Sequence, residues 1–257
     1  MTVAPIDFAI LAPALAAGLL VVATHVPLGA QVLRKGIVFI DLAIAQIAAL
    51  GVIVAGMLDI DPGGWQVQVA AALAALGGAL LLTWTEKKWP DVQEAQIGVL
   101  FVLAATAGIL LLAKNPHGGE HLRDLLAGQI LWVSYAQLAI PLVATLAILG
   151  LWFGARAHVE RAGFYLLFAL AVTVSVQLVG VYLVFTSLIV PAVATYRYPQ
   201  RQQLALGYGL ALVSYVVGLV LSAVVDLPSS PVIVWAMALI GLLVHFGGRE
   251  TPPPAPH

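Results

Sequence analysis

The stretch "VLRKGIVFIDLAIAQIAALG", Val32 to Gly51, places one carboxylate, Asp41, inside an apolar run that follows an Arg-Lys pair. A carboxylate at such a position can hold or pass a cation, because intramembrane acids face a bundle interior or water rather than lipid. The other reading is a carboxylate that caps or solvates the start of a helix. Gln46 is five residues further on, about 140° around a helix, so it shares a face with Asp41 only loosely. A second set of groups lies in "KNPHGGEHLRD", where His117, Glu120 and His121 could offer nitrogen and oxygen ligands to zinc or manganese. The two glycines between them argue against a helix that would align the imidazoles, and a solvated loop explains the same residues. Cysteine is absent, so thiolate ligands, thiol catalysis and disulfides are excluded together.

Other catalytic patterns are missing. The chain carries no G-x-x-x-x-G-K-[ST], no H-E-x-x-H and no G-x-S-x-G, so neither ATP hydrolysis nor a metalloprotease or serine-hydrolase site is encoded. Ser134, Ser175, Ser187 and Ser214 are single hydroxyls suited to helix-to-helix hydrogen bonds. His25 is expected to begin a cytoplasmic loop; His158, His245 and His257 fall at interfaces or ends.

The elements that must position these groups follow from composition. The chain is 62% hydrophobic and 9% charged, against about a quarter charged in a soluble domain, and its mean hydropathy is +1.04. It is an integral membrane protein. A net charge of −1 gives no attraction to nucleic acid. Runs near the ~20 residues that a spanning helix needs are Phe8 to Ala23, Ile37 to Leu58, Val67 to Thr85, Ile97 to Ala113, Tyr135 to Phe153, Leu204 to Val225 and Val232 to Phe246. The first lacks a basic lead and a cleavage site, so it reads as a span rather than a cleaved signal.

Phe164 to Thr195 is too long for one straight helix and short for two. Loop charge decides. A single crossing divides the basic residues almost evenly between the two sides. A double crossing leaves only Lys114 and Arg123 outside and puts the other nine of eleven on the cytoplasmic side, as the positive-inside rule requires. The expectation is an all-α polytopic bundle with about nine passes, eight full spans plus one short broken helix containing Pro191. The N-terminus is outside and the C-terminus cytoplasmic. Residues 1–247 form a single transmembrane domain, and 248–257, rich in proline, a disordered tail.

Five segments, in this order, resemble the membrane permease subunits of the zinc, manganese and iron ABC importers. "VLRKGIVFID" is similar to the family's VLRR-x-x-x-x-GD, with Asp41 on the motif aspartate. "EAQIGVLF" from Glu94 resembles the opening of the fourth span, and "LLAGQILWVS" from Leu125 the LFGDIL segment. "LVGVYLVFTSLIVPAVATYR" from Leu178 resembles VGILLVSALLIIPAATAR, and "LSAVVDLPSSPVIV" from Leu221 resembles LSYYLDLPSGATIVL. Two family side chains are missing. The histidine four residues after the aspartate is Ala45, or Gln46 if the segment is aligned back from Gly51, and the DIL aspartate is Gln129. Neither alanine nor glutamine replaces imidazole as a ligand for a transition metal.

The resemblance implies a transport subunit rather than an enzyme, in the bacterial inner membrane. It implies a homodimer, separate ABC ATPase subunits and an external (periplasmic) metal-binding protein. Zinc is expected first and manganese second, as transported substrate, with no bound cofactor. It places Asp41 and Gln46 along the path and an ATPase-coupling segment at Ala192, Val193, Ala194, Thr195, Tyr196, Arg197 and Arg201. The two arginines also fit as ordinary positive-inside anchors. A rival reading is a self-sufficient ion channel or proton-coupled carrier in which Asp41 titrates.

Overall fold

The computed structural model describes residues 8–58, 60, 64–112, 126, 128, 130–154 and 163–247, with the side chains of 8, 9, 200 and 201 left aside. The loop residues His117, Glu120 and His121, together with Gln129, His158 and the tail 248–257, lie outside these.

Every regular element described is helical. In chain order these are α1 (Phe8–Lys35), α2 (Ile40–Met57), α3 (Trp65–Lys88), α4 (Gln93–Leu112), α5 (Ala139–Gly154), α6 (Phe164–Val179), α7 (Val181–Ala194), α8 (Gln200–Val225) and α9 (Ser229–Gly247). Short 3-10 turns precede α4 and α5. Seven helical segments are long and apolar enough to cross a membrane, while α6 and α7 are shorter. Helix α2 packs on α3 and α4, α1 packs on α7 and α8, and α9 packs on α7 and α8. The short pair α6–α7 joins the two groups, α6 against α3 and α2, α7 against α1 and α9.

The first run differs from expectation. His25 does not begin a loop: the helix continues to Lys35, and His25 is fully buried within it. Pro27 lies inside this helix and, lacking an N–H, leaves the carbonyl four residues back without its donor. That carbonyl belongs to Ala23, and the Tyr208 hydroxyl of α8 donates to it at 3.0 Å. The proline is tolerated because a distant helix replaces the lost bond. Nδ1 of His25 donates to the Val21 carbonyl at 3.0 Å, which assigns its proton and leaves Nε2 as a buried lone pair without a partner among the described residues.

The stretch after Phe164 breaks at Gly180, and Pro191 lies inside α7 rather than at its end. Gly180 has φ 82° and ψ 163°, a region that only glycine enters at low cost. The carbonyl of Val179, freed at the end of α6, accepts from the Ser230 hydroxyl at 3.3 Å. Such a break within an apolar bundle survives because protein surrounds it. Both ends of the pair lie at the Lys35 end of the bundle: Lys35 Nζ is 5.5 Å from the Phe164 ring centre, and Arg34 shares a groove with Thr195 and Tyr196. Exposed aromatics collect at both ends, with Trp84 and Trp89 near Lys88 at one and Trp65, Trp132 and Tyr135 at the other, the distribution of membrane-interface belts.

Candidate functional site

Asp41 sits in the first turn of α2 and is 1% exposed. The amides of Asp41 and Leu42 face its carboxylate, an arrangement a helix N-terminus favours through its unpaired N–H groups and dipole. Among the described residues the Oδ1 oxygen nevertheless has no hydrogen-bond partner, and it is out of contact with solvent. Asp41 is therefore not a solvated cap. One face of the carboxylate is satisfied by the helix start, and the other is left open at a cost.

Gln46 is also buried, and it lies elsewhere on α2. With Leu42 it lines a cleft of about 500 Å³ between α2, α4, α7 and α9, whose other polar groups are Tyr182, Thr186 and Ser230. Asp41 is next to that wall in sequence but is not part of it. The cleft extends from Leu42, in the first turns of α2, to Ser230 and Pro231 at the start of α9, with Tyr182 and Trp235 exposed along it. Its walls are mostly apolar. The sequence reading missed Tyr182, Thr186 and Ser230, although Ser230 falls in the quoted "DLPSSP" segment and the other two in "LVGVYLVFTSLIV".

Polar contacts close the Lys35 end of the bundle. Lys35 Nζ donates to Glu86 Oε1 at 3.2 Å, joining α1 to α3. Oε1 of Glu94, from α4, accepts the backbone N–H of Phe39 at 3.3 Å, just ahead of α2. Gln93 Nε2 donates to the Leu82 carbonyl at 3.1 Å. The turn before α2, the end of α3 and the start of α4 are thus stitched together around the Asp41 end of α2.

The candidate coupling residues divide by exposure. Ala192, Ala194 and Thr195 are buried, whereas Val193 and Tyr196 are 43% and 69% exposed, so only part of the segment can meet a partner directly. Arg197 follows at the turn, and Arg201 occupies the first turn of α8. The turn is held from three sides. Thr195 Oγ1 donates to the Pro191 carbonyl at 2.7 Å, and Gln203 Nε2 donates to the Tyr198 carbonyl at 3.0 Å. The Tyr198 hydroxyl donates to the Val244 carbonyl of α9 at 2.8 Å. His245, expected at an interface, lies with Nδ1 3.4 Å from the Val193 carbonyl. Among the described residues no group of three or more His, Asp or Glu side chains could hold a metal ion.

The spans enclose a cleft between helices, a place where bundles bind small ligands. The chain belongs to the ABC 3 transport family, whose profile matches residues 7–159 and 154–247, and this match makes it a membrane transport subunit rather than an enzyme. It is 22% identical over 260 residues to the high-affinity zinc uptake system membrane protein ZnuB of Haemophilus influenzae, covering 93% of this chain and 98% of that protein. It is 24% identical over 267 residues to the manganese transport system membrane protein MntC of Halalkalibacterium halodurans, covering 95% and 90%. Among solved structures, PsaBC from Streptococcus pneumoniae in complex with Fab shares the fold, with a TM-score of 0.74, 23% identity and coverage of 93% of this chain and 91% of that one. The family agrees with the resemblance carried by the five sequence segments.

Proposed function

We propose that this chain is the permease of an ATP-driven importer of divalent metal cations in a bacterial inner membrane, with zinc the first cargo and manganese the second. The observation that carries this reading is the end-to-end likeness to both a zinc and a manganese uptake protein within one transport family. The zinc relative is matched over slightly more of its length, which favours zinc only by a small margin. Two copies enclose the pathway, two separate ABC ATPases bind beneath, and an external binding protein delivers the cation. The metal is substrate and not a resident cofactor.

The chain crosses nine times, with its N-terminus outside and its C-terminus cytoplasmic. Support comes from the two ends of α6–α7 meeting at the Lys35 end, and from the nine basic residues that this threading gathers on one side. The cation descends the Gln46 cleft toward its Leu42 end, where Asp41 lies buried one residue behind that wall, and the unpartnered oxygen is suited to a positive charge once the helices part in transit. The segment Ala192 to Arg201 couples to the ATPase, with Val193, Tyr196 and the arginines at the contact and the buried residues holding them in place.

The test is ATP-dependent uptake of zinc and manganese into vesicles holding the chain with its ATPase and binding protein. Uptake of either metal supports the reading, and uptake of neither by the wild type overturns it. Ion flux through the purified chain without ATPase would support the carrier reading instead.

A further inference from the structure

At the Lys35 end a groove of about 270 Å³ opens between α1 and the turn that joins α7 to α8. Ala30, Leu33 and Arg34 form one wall, and Thr195, Tyr196 and Gln203 the other. Two basic residues at this end are engaged: Lys35 pairs with Glu86, and Lys88 Nζ lies 4.6 Å from the Trp89 ring centre. Arg34 is exposed and uses only Nε, which donates to the Ala30 carbonyl at 3.1 Å. That bond lays the side chain back along its own helix. Its two terminal NH2 groups meet no acceptor among the described residues. An arginine fork held at its stem and open at its tip is built to receive a carboxylate through paired N–H bonds.

Opposite it, Tyr196 is 69% exposed on a turn fixed by Gln203, whose Nε2 faces the Tyr196 and Tyr198 carbonyls at 3.4 and 3.0 Å. Tyrosine and arginine flanking a small apolar hollow are the residue types on which protein interfaces concentrate their binding energy. We propose that this groove is the second half of the ATPase docking surface, with Arg34 receiving a carboxylate of the ATPase. The inference rests on the reading of the Ala192 to Arg201 segment as the coupling turn. A protein is favoured over a lipid headgroup because the groove lies between helix ends of the bundle itself, with the buried Pro191, Ala192 and Thr195 in its wall. Docking there bridges α1 and the turn, so a displaced ATPase moves both.

The experiment measures affinity of the chain, in lipid nanodiscs, for its cognate ABC ATPase. Arg34→Ala, Arg34→Glu, Arg34→Lys and Tyr196→Ala are compared with Lys87→Ala, a loss of charge outside the groove. Each is measured in zwitterionic lipid alone and with an anionic fraction, and monodispersity and melting temperature confirm that each variant folds. Arg34→Ala is expected to weaken binding about tenfold, in line with loss of one charged partner at an interface. Arg34→Glu should weaken it more and Arg34→Lys less, in both lipids, with Lys87→Ala near wild type. Weakening by Tyr196→Ala with no effect at Arg34 overturns the inference and leaves the coupling turn standing. An Arg34 effect confined to anionic nanodiscs identifies a lipid headgroup and also overturns it. Indifference of binding to both residues removes the coupling reading as well.

Discussion

Tyr208 and Ala23 show how one side chain decides the course of a whole span. The hydroxyl of Tyr208 satisfies a carbonyl that Pro27 has stranded, and phenylalanine would fill the same space without the donor. Tyr208→Phe should destabilise the folded chain by about 1–2 kcal/mol, the cost of one unsatisfied buried polar group moderated by the membrane reference state. A melting curve in detergent, set beside Tyr182→Phe on the exposed edge of the cleft, measures it. At Asp41 the proposed role is in transport rather than stability. Asparagine keeps the shape and an acceptor for the amides of the helix start but removes the charge. If Asp41 serves the proposed path, Asp41→Asn is expected to leave the assembled importer intact and lower uptake at least about tenfold. Normal uptake by this variant would return Asp41 to the role of a helix-start carboxylate.

Among the elements, α1 and α7 approach each other closely at Gly29. A Cβ at Gly29 would run into the backbone carbonyl of Leu188, and backbone cannot swing aside as a side-chain tip can. Gly29→Ala should therefore cost about 1–3 kcal/mol, as overpacking does, and read out as poor yield and early melting. At Gly180 the obstacle is conformation rather than space: any side chain at φ 82° and ψ 163° is strained by about 1–3 kcal/mol. Gly180→Ala should loosen the α6–α7 pair, seen as faster hydrogen exchange at Val181 to Val184. The existence of these spans was legible in hydropathy, because the seven long runs needed nothing but length and apolarity. Their ends were less so. The first span was expected to end before a loop at His25, yet the helix runs on through Pro27, accommodated by Tyr208 far along the chain, and α7 runs on past Pro191. Distant hydrogen bonds leave no mark in a local window.

For the whole molecule, threading is the property to test. The chain has no cysteine, so single cysteines can be placed without background. Trp89 and Leu227 are both exposed, at opposite ends of the bundle. An impermeant thiol reagent added to intact spheroplasts should label a cysteine at 227 and spare one at 89 until the membrane is opened. The reverse pattern would invert the proposed orientation. The candidate site was legible only in part at this scale. Asp41 and Gln46 stood out because polar groups are rare in apolar runs and a family motif ran through them. Tyr182, Thr186 and Ser230 come from α7 and α9 and meet Gln46 only when the helices pack. No spacing along the chain announces that meeting.

The bond from Tyr198 to Val244 has one more consequence. It fastens the turn between α7 and α8 to the last turn of α9, with His245 against Val193 as a second rivet, so Phe246, outward and 76% exposed, is carried by whatever moves the turn. If the proposed coupling holds, a dye pair with one label at 246 and the other at 89, on the α3–α4 side, would act as a strain gauge that changes with each ATP cycle while leaving the proposed pathway and docking face untouched.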